Sequence, residues 1–350
     1  FQPRVCVTAQ HRDLLDQVLG FFQIRPDVDL NLMRPDQSLH AVLAEAVLGL
    51  ERVLQEEEPD CVVVQGDTTT TFAGALAAFY ARIPSAHVEA GLRTGNKLAP
   101  YPEEVNRLLT ARVADLHLAP TERARGNLLR EGVPAETVFV TGNTAVDAVL
   151  LAVERVRGLG PEAFGPALAR VDLSRPVLLV TTHRRESFGE GIAAICRAVA
   201  RLARAHPELQ VVLPVHPNPH VRGPVSTVLG SVPNVHLLDP LDYPALVWVM
   251  ARSTLILTDS GGIQEEAPSL SVPVLVMRET TERPEGLEAG TSRLVGVDEE
   301  RIVEEAERLL SDPAARAAMT GIPNPFGDGR ASERIRDILL ERFGTRPYPP

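Results

Sequence analysis

The chain has 350 residues, of which 44% are hydrophobic and 23% are charged, a composition typical of a globular protein long enough for two domains. Its formal net charge of −11 argues against a nucleic acid as partner, because a polyanion would be repelled. No apolar run approaches the roughly 18 residues of a membrane span, and residues 1–10 lack the pattern of a secretory signal peptide. Three widely separated cysteines favour buried thiols over disulfides or a metal site, so we expect a cytoplasmic protein.

Short apolar runs alternate with helical patterns along the first half of the sequence. Strands are predicted at 4–8, 31–33, 61–65, 85–89, 116–119 and 138–141. Helices are predicted at 13–22, 38–55, 69–81, 102–113 and 121–131. This alternation is the pattern of βαβ units, so it predicts a parallel sheet covered by helices.

A stretch richer in Gly, Pro and Arg, at 152–174, contains no predicted strand and is interpreted as a linker. A second alternating series follows, with strands at 177–182, 210–215, 235–238, 255–258 and 272–277 and helices at 190–206, 243–251, 263–270 and 299–311. We therefore expect an α/β fold of two Rossmann-like domains, over 1–155 and 175–329, with a ligand in the cleft between them. A last helix at 330–344 is expected to pack back on the first domain.

Acidic side chains follow two of the predicted strands in the first half. Asp67 comes shortly after one buried strand, and Glu89 ends the next. Glu103 and Glu104 lie in the first turn of the helix after that. Because the carboxyl ends of parallel strands meet at one edge of a sheet, these acids can converge and act as acid–base groups. The alternative is structural: Asp67 caps a helix, and the two glutamates only stabilise a helix dipole.

In the second half, the strand at 255–258 leads into an Asp-Ser-Gly-Gly turn and a predicted helix. Two adjacent glycines let the backbone approach a ligand and aim N–H groups outward, which suits a diphosphate at a helix N-terminus. Asp259 or Ser260 is the expected helix cap. Glu266, placed in the first helical turn, could accept hydrogen bonds from two sugar hydroxyls. The alternative is a capped turn with a solvated glutamate.

Cationic side chains follow other strands of the second half. His183 ends a strand and is followed by Arg184 and a second arginine, a plausible clamp for an anion. Arg283 follows the last predicted strand, either near the Ser-Gly-Gly turn or in a solvated loop. His216 and His220 have the spacing of a zinc-binding helix, but two nearby prolines exclude that helix.

Six motifs, in order along the chain, together resemble the non-hydrolysing bacterial UDP-N-acetylglucosamine 2-epimerases. They are Gly66-Asp67-Thr68-Thr69-Thr70-Thr71, His87-Val88-Glu89-Ala90-Gly91-Leu92-Arg93, Pro102-Glu103-Glu104, Thr182-His183-Arg184-Arg185-Glu186, Asp259-Ser260-Gly261-Gly262-Ile263-Gln264-Glu265-Glu266 and Thr281-Glu282-Arg283-Pro284. The resemblance implies a two-domain glycosyltransferase-B-like fold, a homodimer, and interconversion of UDP-GlcNAc and UDP-ManNAc through bound UDP. It implies no metal and no nicotinamide cofactor.

The resemblance also assigns roles to residues of this sequence. The acids that match Asp67, Glu89 and Glu103, and the histidine that matches His183, are catalytic or contact the substrate. The residues that match positions holding UDP are Ser260, Gly261, Gly262, Glu266 and Arg283. Bacterial members are activated by their own substrate at a neighbouring site, and the residues that match that site are Gln10, His11, Arg184 and His216.

The sequence departs from the family pattern at its start. The family begins with a strand and a Gly-Thr-Arg-Pro-Glu loop followed by a lysine, whereas this sequence begins at Phe1, in what corresponds to the second strand. The resemblance therefore predicts a first sheet without that first βα unit and a site without that Arg and Lys. Three alternatives stay open: a hydrolysing epimerase that releases free ManNAc and UDP, a retaining glycosyltransferase, and a UDP-sugar-binding fragment without activity.

Overall fold

The computed structural model describes residues 1–9, 12–34, 37–184 and 187–344. The strands are β1 (Cys6–Val7), β2 (Val28–Asp29), β3 (Val62–Gln65), β4 (Ser85–Val88), β5 (Leu116–Ala119), β6 (Val138–Val140), β7 (Val177–Thr181), β8 (Gln210–Pro214), β9 (Val235–Leu238), β10 (Leu255–Thr258), β11 (Val274–Val276) and β12 (Ser292–Leu294). The helices are α1 (Arg12–Phe22), α2 (Leu39–Glu57), α3 (Thr69–Ala81), α4 (Glu103–Val113), α5 (Glu122–Arg130), α6 (Thr144–Val156), α7 (Glu190–Ala205), α8 (Pro219–Leu229), α9 (Tyr243–Met250), α10 (Gly261–Glu266), α11 (Pro284–Ala289), α12 (Glu299–Ser311), α13 (Pro313–Thr320) and α14 (Ala331–Phe343).

The chain forms two compact units, and the first comprises Phe1–Thr144 together with the chain from Gly329 onward. It contains a parallel sheet in the order β3-β4-β5-β6 and a separate parallel pair, β1-β2. Every residue of β4 and β5 is buried, as expected of parallel strands covered on both faces. The C-terminal helix α14 belongs to this unit: Ile335 packs with Leu116 and Leu118, and Arg334 donates to the carbonyl of Thr141 at 3.1 Å.

The second unit, Ala145–Asp328, is built on one parallel six-stranded sheet in the order β12-β11-β10-β7-β8-β9. Its core packs the apolar side chains of α7, α8 and α12 against the strands. The chain runs outward from β7 in both directions, so β7 and β10 flank the point where the strand order reverses. Ligands of open α/β sheets bind at the carboxyl ends of the strands beside such a point.

The strand predicted at 31–33 is wrong, and the strand of this region is β2, which precedes it. The carboxylate of Asp29 accepts a hydrogen bond from the backbone N–H of Asn31 at 2.9 Å. Asn31 itself has a φ of 48°, in the left-handed region. An aspartate that bonds to the backbone two residues later forms a turn, which ends the strand before residue 31.

Besides β2, five elements were absent from the sequence prediction: α6, α8, α11, α13 and β12. Three of these helices begin with a proline, the residue whose missing N–H and fixed φ suit a first helical position. The segment predicted as a linker also differs, because α6 extends through its first residues. Further along it, the indole of Trp248 donates to the carbonyl of Leu159 at 2.9 Å, so this stretch packs within the second unit.

The helices within the described ranges include none long and apolar enough to cross a membrane.

Candidate active site

The carboxyl ends of β3 and β4 bring two of the candidate acids side by side. Gln65 pairs with Val88 in the sheet register, and the N–H of Gly66 donates to the carbonyl of Val88 at 3.0 Å. Glu89 directly follows the end of β4, and Asp67 lies two residues after the end of β3. A β-carbon built on Gly66 would lie 3.7 Å from the Oε2 atom of Glu89. The glutamate side chain therefore lies over the turn that carries Asp67.

Glu89 has a φ of 64°, a left-handed conformation that few residues other than glycine adopt. The facing turn residue, Gly66, has a φ of 76°. A strained, non-glycine backbone costs free energy and persists mostly where a function requires it. This observed strain at Glu89 supports a functional role for its carboxyl group.

Asp67 does not cap the helix that follows it. The cap of α3 is Thr68, whose side chain accepts from the N–H of Thr71 at 3.3 Å. Asp67 instead accepts two hydrogen bonds from Arg107 on its Oδ2 atom, at 2.9 and 2.7 Å. Asn106 donates to the backbone carbonyl of Asp67 at 3.0 Å. The alternative that Asp67 caps a helix is therefore wrong, and α4 is attached to this turn by two side chains.

The two glutamates at the start of α4 have different environments. Glu104 is buried and accepts hydrogen bonds from Arg107 at 2.9 Å and from the N–H groups of Thr94 and Gly95 at 3.0–3.1 Å. Glu104 therefore holds the loop that contains Thr94 and Gly95, a role beyond stabilising the helix dipole. Glu103 has an Oε2 atom that is buried without a hydrogen-bond partner among the described residues. A buried polar atom of this kind requires an explanation, and a hydroxyl group of a bound ligand is a suitable partner.

His87 is a further residue of this edge, and sequence reasoning did not single it out. Burial lowers its pKa to about 4, so the imidazole is neutral at pH 7. Its Nε2 lies 2.7 Å from the carbonyl oxygen of Gly66. Because a carbonyl only accepts, Nε2 carries the hydrogen and donates it. This hydrogen bond therefore attaches the imidazole ring to the Gly66–Asp67 turn.

In the second unit, Asp259 connects the ends of β10 and β7. Its Oδ2 accepts from the hydroxyl of Thr182 at 3.0 Å and from the N–H groups of His183 and Arg184 at 2.8 and 2.9 Å. Its Oδ1 lies 3.0 Å from Nδ1 of His183. Burial alone would raise the pKa of this carboxyl, but the hydrogen bonds outweigh burial and hold the pKa below its usual range. The expectation that Asp259 caps a helix is wrong: it orients the imidazole of His183.

The turn after β10 is packed against Arg283. Ser260 occupies the N-cap position of α10, although its side chain makes no capping hydrogen bond. A β-carbon on Gly261 would lie 3.1 Å from Cζ of Arg283, so glycine permits the guanidinium to lie against the start of the helix. Arg283 is mostly buried and its Nε donates to Glu265 at 2.8 Å. The alternative of a solvated Arg283 is therefore wrong.

Glu266 is the last residue of the short helix α10, and its prediction in the first turn is wrong by one turn. The hydroxyl of Tyr243 lies 3.4 Å from its Oε1 atom and donates to it. Burial, reinforced by the neighbouring charge of Glu265, raises the pKa of Glu266 to about 8. At pH 7 this group is mainly a neutral carboxylic acid.

The residues predicted for a second substrate site are only partly described. Gln10 and His11 lie outside the described residues. The ring of His216 lies 6.3 Å from that of His183, centroid to centroid, in a stacked arrangement. Arg184 lies 3.6 Å from Glu282, whose pKa is about 2 because the hydrogen bond from Arg278 outweighs the effect of burial. The role of this group in activation stays a prediction.

Metal-binding clusters were sought among His, Cys, Asp and Glu side chains. Within the part of the chain that the structure describes, no group of three or more of them is arranged to hold a metal ion. His216 precedes α8, which begins at Pro219, so His216 and His220 do not share a helix.

Comparison with known proteins relates this architecture to one family. The family model described as UDP-N-acetylglucosamine 2-epimerase matches residues 1–340. The UDP-N-acetylglucosamine 2-epimerase of Escherichia coli (strain K12) is 54% identical over 343 residues, which cover 97% of this chain and 91% of that protein. The crystal structure of UDP-GlcNAc 2-epimerase from Neisseria meningitidis bound to UDP-GlcNAc has a TM-score of 0.90 and 48% identity, and the match covers 97% of this chain and 92% of that one.

A more distant structure has the same architecture. The UDP-GlcNAc 2-epimerase of Methanocaldococcus jannaschii, in complex with UDP-GlcNAc and UDP, has a TM-score of 0.78 and 34% identity over 95% of this chain and 90% of that one. The predicted α/β class, with two Rossmann-like units in the glycosyltransferase-B-like manner, is confirmed. Because the family model and these relatives match nearly the whole sequence, the chain belongs to the UDP-N-acetylglucosamine 2-epimerase family.

Proposed function

We propose that the protein interconverts UDP-GlcNAc and UDP-ManNAc by non-hydrolysing epimerisation at C2. The observation that carries the proposal is the grouping of carboxyl side chains at one sheet edge of the first unit. Asp67 and Glu89 are adjacent there, and α4, which bears Glu103, is bonded to the same turn. Family membership supports the substrate, since relatives have been solved with UDP-GlcNAc and UDP bound.

The chemistry requires that UDP begin to leave before the proton is removed. The C2–H bond of a sugar is not adjacent to a carbonyl, so a carboxylate alone abstracts this proton too slowly. When the C1–O bond breaks, its electron pair goes to UDP and C1 becomes oxocarbenium-like, which makes the C2 proton acidic. A carboxylate takes that proton, and the C2–H electron pair forms the C1=C2 double bond of 2-acetamidoglucal. Readdition of UDP, with a proton delivered to the opposite face of C2, gives the epimer.

In this scheme the first unit supplies the proton-transfer groups. Removal and delivery on opposite faces require two acid–base groups or a shifted intermediate. Asp67, Glu89 and Glu103 are the candidates for these roles. The unpartnered oxygen of Glu103 and the strained backbone of Glu89 support their involvement.

The second unit holds the leaving group. The N–H of Ser260 already donates to Oγ1 of Thr258 at 3.0 Å. The N–H groups of Gly261 and Gly262, with the guanidinium of Arg283 and the imidazole of His183, would stabilise the departing diphosphate. Glu266 would accept from the ribose hydroxyls. The residues around this turn are arranged to keep Arg283 against Gly261, which supports an anion-binding role.

We extend the proposal to regulation and assembly on the basis of the family resemblance. Arg184 and His216, with Gln10 and His11, would form a second substrate site that activates the enzyme. The enzyme would act as a cytoplasmic homodimer. Substrate-dependence curves and sedimentation of the purified protein test these two statements.

The decisive experiment incubates the purified protein with UDP-GlcNAc in heavy water and follows the products by NMR. We expect UDP-ManNAc that carries deuterium at C2. Epimer without solvent deuterium would contradict elimination and readdition. Free ManNAc with UDP would instead identify a hydrolysing epimerase, and UDP binding without turnover would identify a binding protein.

Variants of the acids test their assignment. Asp67→Asn and Glu89→Gln are each expected to lower kcat by several orders of magnitude, because proton transfer and charge stabilisation are lost together. Both should still bind UDP, since the nucleotide contacts belong to the second unit. Glu51→Gln, on an exposed position of α2, is the matched control and should leave turnover unchanged. If the two acid variants stay active, these carboxylates have only structural roles.

A further inference from the structure

The buried guanidinium of Arg107 connects three parts of the acidic edge. Arg107 lies in α4 and is 5% exposed. Its Nε and Nη2 atoms donate to Oδ2 of Asp67 at 2.9 and 2.7 Å, and its Nη1 donates to Oε2 of Glu104 at 2.9 Å. One side chain thus bonds to the turn after β3 and to the first turn of its own helix.

Glu104 extends this connection to the loop after β4. It is 2% exposed, and its carboxylate accepts from the N–H groups of Thr94 and Gly95 at 3.0–3.1 Å. That loop begins at Glu89, whose left-handed backbone directs the chain into it. A chain of hydrogen bonds therefore connects Asp67 to Arg107, Arg107 to Glu104, and Glu104 to two backbone N–H groups of the loop.

The fork of the guanidinium is suited to this arrangement. Its planar donors lie in fixed directions, so two of them bind one oxygen of Asp67 while a third binds Glu104. A lysine ammonium has no such fork and cannot reproduce both contacts. Without the cation, two carboxylates would face each other at a buried position, which is unfavourable. The geometry therefore requires arginine at position 107.

We propose that Arg107 is a positioning residue that holds the carboxylate of Asp67 in its reactive orientation, with Glu104 as its second anchor. This inference rests on the proposed epimerase function. Arg107 acts through Asp67: both donors on that side bind Oδ2, so the direction in which Oδ1 points is set. The amide of Asn106 fixes the backbone of the same residue, so side chain and main chain are held from one helix.

The test is a double-mutant cycle on kcat with Arg107→Lys and Asp67→Glu. Arg107→Lys keeps the buried positive charge, so we expect it to fold. Its kcat should fall about 100-fold, as expected when a reacting group is displaced by about 1 Å, and its Kd for UDP should stay within about threefold of wild type. Asp67→Glu keeps a carboxylate that the extra methylene has already displaced. In that background Arg107→Lys should lower kcat less than about threefold, because residues that act as a unit are not additive.

Arg93→Lys is the matched control. Arg93 is also a mostly buried arginine of the first unit, paired through two hydrogen bonds of 2.8 and 2.9 Å with Glu131. Arg93→Lys should change kcat by the same factor in the wild-type background and in the Asp67→Glu background. Glu104→Gln is a second variant, expected to lower kcat about 10-fold without changing the Kd for UDP.

The outcomes separate the two proposals. If wild-type protein binds UDP but forms no epimer, the proposed epimerase function is wrong, and the positioning role that rests on it is overturned as well. If wild type is active and Arg107→Lys turns over at the wild-type rate, the positioning role is overturned. It is equally overturned if Arg107→Lys lowers kcat by the same factor in both backgrounds, since Arg107 then acts independently of Asp67. Circular dichroism and thermal melting establish that each variant is folded.

Discussion

The environment of Glu266 predicts that the binding of UDP releases a proton. Burial and the charge of Glu265 raise the pKa of Glu266 to about 8. At pH 7 about 90% of this group is protonated in the free protein. If its carboxylate accepts hydrogen bonds from the ribose hydroxyls, binding favours the charged form and lowers the pKa. We therefore expect about 0.9 proton to leave Glu266 for each UDP bound at pH 7.

Calorimetry in two buffers of different ionisation enthalpy measures this proton. The terminal phosphate of UDP also titrates near neutral pH, as phosphate monoesters do. The test is therefore the difference between wild type and Glu266→Gln in the number of protons released per UDP bound. The wild type should release more protons than the variant at pH 7, and the excess should vanish above about pH 9. Equal proton release in the two proteins at pH 7 would refute the reasoning, because Glu266 would then stay protonated beside the nucleotide.

The same shift has a consequence for stability. A carboxyl whose pKa is higher in the folded protein than its ordinary value of 4.5 contributes stability that is complete below pH 4.5 and is lost as the pH rises through about 8. Ionising Glu266 in the folded protein costs on the order of 5 kcal/mol, and water near this partly accessible side chain reduces the cost to a few kcal/mol. Urea unfolding without ligand should therefore show Glu266→Gln gaining stability relative to wild type as the pH rises from about 4.5 to about 8, with no further gain above that.

Three further variants test other parts of the structure. Asp259→Asn should lower kcat about 10- to 100-fold, since the imidazole beside it loses its orienting carboxylate. The free energy of unfolding of this variant should also fall less than that of wild type below about pH 4. The reason is that the depressed pKa of Asp259 contributes stability that disappears as the pH falls. Unchanged turnover would show that this carboxylate only braces the strand ends. Gly261→Ala should weaken UDP binding about 10-fold in calorimetry, because its methyl group would displace Arg283; wild-type affinity would place the diphosphate elsewhere. Leu118→Ala, at a fully buried position of β5, should lower the free energy of unfolding by about 2–5 kcal/mol in urea titrations, and a change under 1 kcal/mol would contradict the packing of this sheet.

Much of the fold could be predicted because apolar periodicity is a local signal. The helices α3 and α12 and the strands β5, β9 and β10 have the predicted bounds. Errors occurred where side chain–backbone hydrogen bonds or prolines decide the local structure. Asp29 ends a strand early by bonding to Asn31, and Pro219 begins a helix although the two prolines nearby predict that none forms there.

The candidate site shows the same division between local and long-range information. That Asp67, Glu89 and His183 follow strands can be deduced from the sequence, because parallel strands carry their polar residues at one edge. Two of these residues have charged partners that are distant in sequence: Arg107 lies 40 residues after Asp67, and Asp259 lies 76 residues after His183. No periodicity connects such pairs, so their contact is visible only in the folded chain.

The sequence by itself therefore determined the α/β class, the alternation of strands with helices and the family, since these depend on local patterns and on motifs that are continuous along the chain. Only the tertiary structure decided which carboxyl groups act as ligands of other side chains and which remain available. Asp259 and Glu104 became supports because hydrogen-bond donors surround them, whereas an oxygen of Glu103 is buried without a partner among the described residues. The physical reason is that the role of a carboxylate depends on its burial and its neighbours, and both are set by packing between elements distant in sequence.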